Sequence, residues 1–370
     1  MSEQTVKAVR APLCHVVARS DVSVARQIAV RMAAIALALV TGAVLLLILG
    51  QNPLAIYGTM VSGSLGSKSS LFETIKVAIP LCISALGVTL AFRMRFWNIG
   101  AEGQICVGAM AASFFAYTFG GVWPSWALIL AMALAAILMG GLWGMIPAWC
   151  KTKWGTNETL FTLMMNYVAL YFIQFLREGP WRDASAMGFP ITPRFDKAAR
   201  LPKVMGIHAG WIVALVLVVA LTLYVRRTKQ GYELTAVGEN SVTARYAGMP
   251  VKRIVLRTMF LSAAICALAG MIQVSGADMQ LTDSVAGGVG FTAIIVAWLA
   301  RLSPLGILVA SFLFGMMEKG SSAIEAAFKL SPAMADVLQG IILFFVLGAE
   351  FFINYKLMFR GQVSKGGAGK

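Results

Sequence analysis

Long apolar runs recur along the whole of this chain, separated by short polar stretches, a spacing that suits helices crossing a lipid bilayer better than the half-polar elements of a water-soluble fold. A helix needs about 17 to 25 apolar residues to span the hydrocarbon core. Ten segments approach or meet that length: Met32 to Leu49, Thr74 to Phe92, Ile105 to Phe119, Trp126 to Trp149, Leu160 to Leu176, Trp211 to Tyr224, Ile254 to Val274, Val285 to Ala300, Ser303 to Met317 and Val337 to Ile353. The sixth, eighth and ninth are shorter and lean on flanking residues to reach across, so eight to ten full crossings are expected. The predicted fold class is an all-α polytopic membrane protein of about ten transmembrane helices. Residues 1–31 form an N-terminal tail, 32–354 the transmembrane domain and 355–370 a C-terminal tail. The tail before the first span is longer than a secretory leader and carries five basic residues, so that span is expected to be a retained anchor.

Composition agrees with the pattern. Hydrophobic residues make up 59% of the 370, against roughly 45–50% in soluble chains even with Gly included, and no soluble core of this length would hide so many. Lys and Arg outnumber Asp and Glu by 31 to 16. With the N-terminus inside, 21 of those 31 basic residues fall in cytoplasmic segments, the excess that orients membrane proteins. Both termini are then expected in the cytoplasm, with the chain in the cell inner membrane. Topology accounts for the basic balance, and no nucleic-acid partner is needed, since a basic excess alone is only a footprint.

Candidate chemistry is sparse. Cys14, Cys82, Cys106, Cys150 and Cys266 show no CxxC or metal-ligand spacing and read as small membrane hydrophobes. His15 and His208 lie too far apart in sequence to suggest a dyad or a metal site. Neither a GxxxxGK[ST] phosphate loop nor an HExxH pair is present. No catalytic residue, metal or cofactor is expected on this chain. Asn157-Glu158-Thr159 has the form of a glycosylation sequon but falls on the cytoplasmic side, where it is not used.

Two loops are too long to be simple connectors. The external one, 177–210, holds Pro180, Pro190, Pro193 and Pro202 and should be a stiff, irregular cap. It serves either as a plain connection or as a docking surface for an extracellular partner. In the cytoplasmic one, 225–253, Asn240 and Ser241 can cap a short helix that Val242 to Ala247 continue. Gly248 can end it in a left-handed turn, and Pro250 suits the start of the next membrane helix. A short helix between two spans, rimmed with polar groups, suits contact with a soluble protein.

Arg93 to Gln104 places Asn98, Glu102 and Gln104, with Gly100 and Gly103, at the junction of two apolar spans. Polar side chains there are costly unless they face protein or water. A second glycine-rich lead-in, Ala286-Gly287-Gly288-Val289-Gly290, precedes Phe291. Such glycines either open helix ends that line a cavity or simply allow close helix packing, as Gly140 and Gly144 do in a small-xxx-small arrangement.

Four segments, in order, resemble the permease subunits of bacterial nucleoside and simple-sugar ABC importers, within the branched-chain amino acid and ribose-type permease family. They are Phe96-Trp97-Asn98-Ile99-Gly100-Ala101-Glu102-Gly103-Gln104; Asn157-Glu158-Thr159 through Thr162-Leu163-Met164-Met165-Asn166-Tyr167; Gly231-Tyr232-Glu233-Leu234 with Ala236-Val237-Gly238-Glu239-Asn240, Ala244 and Ala247-Gly248; and Gly290-Phe291 through Val296-Ala297 to Pro304-Leu305-Gly306. Trp298 and Arg301 depart from a part of the last segment that is usually small and aliphatic.

The resemblance implies a non-enzymatic permease that works with three partners: an ATP-binding cassette subunit using ATP and Mg, a second homologous permease or a second copy of itself, and an extracytoplasmic substrate-binding protein. Its first segment favours a nucleoside over a monosaccharide. Phe96, Asn98, Glu102, Gln104, Asn166 and Phe291 become candidates for the substrate pathway. Glu233, Ala236, Gly238, Glu239, Asn240, Ala244 and Gly248 become candidates for coupling to the ATPase. The rival reading, an ion-coupled secondary transporter of a small polar solute, needs an ionisable relay at mid-bilayer. Glu102, Arg257 and Glu350 all sit near span ends instead.

Overall fold

Helical runs carry nearly the whole chain because, inside lipid, every backbone polar group must find its partner within the segment. The computed structural model describes residues 14–18, 23–329 and 332–359. The remaining parts of the expected tails lie outside the described residues. In chain order the elements are β1 (Cys14–Ala18), α1 (Val24–Ile48), α2 (Pro53–Leu65), α3 (Lys68–Arg93), α4 (Ala101–Phe119), α5 (Ser125–Trp154), α6 (Glu158–Glu178), β2 (Lys203–Val204), β3 (Ile207–His208), α7 (Gly210–Arg227), α8 (Lys229–Glu239), α9 (Ser241–Tyr246), α10 (Val251–Gln273), α11 (Val289–Leu299), α12 (Pro304–Phe328), α13 (Pro332–Asn354) and β4 (Tyr355–Phe359).

Among the described residues, seven helices are long and apolar enough to cross a membrane: α1, α3, α5, α6, α7, α10 with the turn that follows it, and α12. The other three expected spans correspond to α4, α11 and α13. The first turn of α4 carries Glu102. The 11 residues of α11, at about 1.5 Å each, reach only about half way through a hydrocarbon core of about 30 Å. The apolar run predicts a span from Val285; the chain instead stays irregular up to Gly288.

The chain divides into two units, one of residues up to 58 with those from 324 onward, the other Thr59–Ala323. In the first, α1 packs on α13, Tyr57 donates its hydroxyl to the Leu39 carbonyl at 2.8 Å, and β1 pairs antiparallel with β4, Cys14 opposite Phe359 and Ala18 opposite Tyr355.

In the second, α10 is the central helix, packed on α3, α4 and α5. Small residues make this possible: a Cβ added at Gly140 or Gly144 of α5 would overlap the Ala267 or Ala263 methyl of α10. Helices in lipid lack a hydrophobic drive to associate and depend on such close packing.

The 177–210 loop is sewn to the chain that follows α10. Thr192 donates its hydroxyl to the Leu281 carbonyl at 2.7 Å, the Phe195 and Leu201 amides donate to the Met279 and Ser275 carbonyls, and Arg177 pairs with Asp283 at 2.9 Å. Its tip leaves Met187 95% exposed.

Candidate functional site: a buried polar junction above a surface helix pair

After α3 the chain turns through Arg95, held at φ +55°, runs irregularly to Gly100 and enters α4. An irregular segment amid apolar helices has backbone groups to satisfy, and side chains satisfy them here. Asn98 is fully buried. Its Oδ1 accepts from the Gly100 amide at 3.0 Å and from Gln104 Nε2 at 3.1 Å. Its Nδ2 donates to Gln104 Oε1 at 3.2 Å and to Ser262 of α10 at 3.3 Å. Asn166 of α6 clamps the same segment from the other side: its Oδ1 accepts from the Gly103 amide at 2.8 Å, and its Nδ2 donates to the Ile99 carbonyl at 2.9 Å. Thr162, one turn earlier, accepts from the Ile99 amide at 3.1 Å. An unsatisfied buried polar group costs about 1–3 kcal/mol, so each of these bonds matters to the shape of the junction.

Glu102 reaches across to α11. Its two carboxylate oxygens accept from the amides of Gly288 and Gly290, each at 2.7 Å. These belong to the first turn of a half-length helix, whose free amides and dipole favour a negative charge. Gly290 is required here, because a Cβ would overlap the Glu102 backbone. Gly288, at φ +83°, takes the left-handed turn that starts the helix.

The far end of α11 is fixed as well. Trp298 stacks on Trp97, ring centroids 5.8 Å apart, and Phe92 lies within 5.6 Å of both rings. Arg93 donates to the Leu302 carbonyl from Nε and Nη2 at 3.2 and 2.8 Å. Trp298, an apparent departure in sequence, is therefore the residue that seats α11 against the α3 terminus. Both ends of the half-helix rest on one junction.

Beneath the junction lie α8 and α9. Asn240 caps α9 by accepting from the Val242 and Thr243 amides at 2.9 and 3.1 Å, and Gly248 takes φ +78° just after the helix. The longer α8 is capped by Thr228, whose hydroxyl accepts from the Gly231 amide at 3.0 Å, and buries Gly231, Leu234, Val237 and Gly238 on one side. Tertiary contacts seat that side: a Cβ at Gly238 would overlap the Arg93 carbonyl oxygen, and Glu233 pairs with Arg257 of α10 at 3.1 Å. The α8 helix thus lies directly on the backbone that leads into the junction. Ala236 is partly buried and Ala244 fully so, leaving Glu239 and Asn240 exposed with Val242 and Tyr246 at 60% and 89%.

The pathway candidates therefore divide. Asn98, Glu102, Gln104 and Asn166 meet in one buried knot. Phe96 is buried elsewhere, under the Lys151 ammonium at 5.0 Å. Phe291 is 41% exposed at the start of α11. Ser262 joins the site without a sequence signal of its own, being an ordinary residue of an apolar helix until its partner is known, while Thr162 and Trp298, noted in sequence as part of a segment and as a departure, gain their roles here. Among the described residues, no cluster of His, Cys, Asp or Glu could hold a metal ion.

The model of the family described as branched-chain amino acid transport system / permease component matches residues 70–347. The chain is 34% identical to the glucose ABC transporter permease protein of Haloferax volcanii, covering 86% of this chain and 87% of that one. It is 30% identical to the guanosine ABC transporter permease protein of Bacillus subtilis, with 92% and 97% covered. To a nucleoside ABC transporter permease protein of Lactococcus lactis it is 27% identical, with 90% and 93% covered. With a match that spans the polar junction, the half-helix and the α8–α9 pair, the chain belongs to the branched-chain amino acid transport system permease family and is the multi-pass membrane permease component of an ABC importer.

Proposed function

We propose that this permease passes a nucleoside, or a closely related simple sugar, into the cytoplasm, driven by an ATP-binding subunit that seats on α8 and α9. The observation that carries the coupling is the unbroken run of contacts from the surface inward. Val242 and Tyr246 are exposed on α9; α8 presses through Gly238 on the Arg93 backbone; Arg93 and Trp97 hold the end of α11; and Glu102 holds its start. A push on α8 reaches α11 with no soft link between. ATP gains leverage because the ATP-binding subunit binds the two states of the permease unequally. Ala244, facing inward, keeps α9 seated on its own chain.

The knot of Asn98, Glu102, Gln104 and Asn166 forms the wall of the pathway in this state, with its polar groups paired to one another. As α11 moves, those groups become available to sugar hydroxyls or base edges, and Phe291 offers a stacking face. Two of the relatives named above carry guanosine or nucleosides in their names and one carries glucose, which supports this class of substrate. Both termini are assigned to the cytoplasm, a reading supported by the basic-residue bias and by the β1–β4 pairing, which brings the two ends together and calls for an even number of crossings. A second permease and an extracytoplasmic binding protein complete the assembly.

The test is uptake of labelled nucleoside and of glucose by proteoliposomes holding the assembled complex. ATP-dependent, protonophore-insensitive uptake of nucleoside is the expected result. Uptake driven by an ion gradient without ATP overturns the mechanism, glucose uptake alone assigns the sugar in place of the nucleoside, and ATP-dependent uptake of neither overturns the substrate class.

A further inference from the structure

Beside α9 lies a cleft of about 480 Å³ whose walls come from four places in the chain: the α3–α4 junction, the end of α5, the α8–α9 corner and the start of α10. Each wall contributes one cation: Arg95, Lys151, Arg245 and Lys252. Lys151 is neutralised by Glu158. Among the described residues, Arg95, Arg245 and Lys252 have no carboxylate partner, and all three are exposed. The only carboxylate in the lining is Glu239. The cleft thus holds surplus positive charge from separate elements, four cations in its lining against the single carboxylate of Glu239.

We propose that this cleft is a socket for an acidic segment of the ATP-binding subunit, which inserts beside α9 as α9 seats on that subunit. The inference rests on the coupling role proposed above. Charge complementarity selects the occupant: three unpaired cations around one concavity repel a basic or neutral insert and attract a carboxylate-bearing one. Position selects the protein, because one wall of the cleft is the α8–α9 corner itself. The socket converts a one-point contact into a two-sided grip, so that α8 and α9 are pulled as well as pushed.

The test uses the whole complex, purified through a tag on this chain, with the ATP-binding subunit quantified at low and high salt. Arg245→Glu/Lys252→Glu is expected to weaken its retention about tenfold at low salt. The parent should approach the variant at high salt, where the screening length falls to about 3 Å at 1 M. A zero-length carbodiimide should join the Lys252 amine to a glutamate or aspartate of the ATP-binding subunit, and Lys252→Arg should abolish that cross-link while keeping retention. Tyr246→Asp, on the outer face of α9, separates the two readings. If Tyr246→Asp loses the subunit while the charge reversals keep it, the socket is overturned and coupling stands. If neither variant loses it, or if the parent never retains it, both readings fall. Reconstitution with and without phosphatidylglycerol gives the last arm. If the reversals abolish only a dependence on that lipid and leave retention intact, the cleft is a headgroup site and the proposal is wrong.

Discussion

Replacing Glu102 by Gln tests the central joint of the site with a change of almost no volume. The carboxylate accepts from two amides at 2.7 Å; a carboxamide offers one oxygen and presents an NH2 to the second N–H. One of the Gly288 and Gly290 amides is then left unpaired in a buried place, at about 1–3 kcal/mol. The loss of charge facing a helix start adds up to about 2 kcal/mol in partly buried geometry. Burying a neutral amide is cheaper than burying an ionised carboxylate, which offsets part of this, and about 2–4 kcal/mol remains. The loss is local, so hydrogen–deuterium exchange over residues 286–291 is the sharpest assay. At about 1.4 kcal/mol per tenfold, opening of that turn should become about 30-fold more frequent or greater, with exchange in α5 unchanged. Uptake should fall, because α11 no longer follows the junction. Glu102→Asp, one methylene shorter, should lose one of the two bonds and fall between. If the Gln variant exchanges and transports like the parent, the cap contributes nothing and the account of α11 is wrong.

Three further outcomes are expected. Gly238→Val should lift α8 off the Arg93 backbone and abolish ATP-driven uptake while leaving membrane insertion intact, as judged by protein level and monodispersity; normal uptake would show that force passes elsewhere. For orientation, Met187→Cys and Tyr246→Cys place thiols at sites 95% and 89% exposed, and a membrane-impermeant thiol reagent on spheroplasts should label the first only. Cys82, Cys106, Cys150 and Cys266, all buried, should stay silent, and labelling of Tyr246→Cys from outside would reverse the topology. His208, outside the spans, is held down to about 4 by burial first and then by Lys76. Its folded value lies below the unfolded one of about 6.5, so the unfolded state binds the extra proton and stability should fall as pH drops from about 6.5 towards 4. His208→Asn should flatten that slope in thermal unfolding, and a parent whose stability does not change across the window would refute the assignment.

The elements read well from sequence are those whose determinants are local. An apolar run of sufficient length has little choice in lipid but to be a helix, and this sufficed for α1, α3, α5, α6, α7, α10 and α12. The cap of α9 was equally legible, because Asn240 bonds to amides two and three residues on and Gly248 ends the turn by its own backbone freedom. Hydrophobicity nevertheless overstates the length of the α11 helix, which covers only Val289–Leu299 of the apolar run. Composition records the apolar character from Val285 onward but not where Gly287 and Gly288, both at positive φ, delay the helix start.

A polytopic membrane helix bundle, its basic-residue bias, and two stretches where polar and glycine residues break the apolar pattern are all legible in the linear chain. Tertiary structure decided what those stretches do. Glu102 finds the α11 amides 186 and 188 positions away, Asn98 finds Ser262 at a separation of 164, and Gly238 finds Arg93 across the same bundle. A buried hydrogen-bonding group must be paired wherever its partner lies in the chain, and a single sequence records that need without naming the partner. The packing of α10 against α3, α4 and α5 brings those distant positions together. It makes the two glycine-rich breaks one joint, with the exposed α8–α9 pair set directly beneath it.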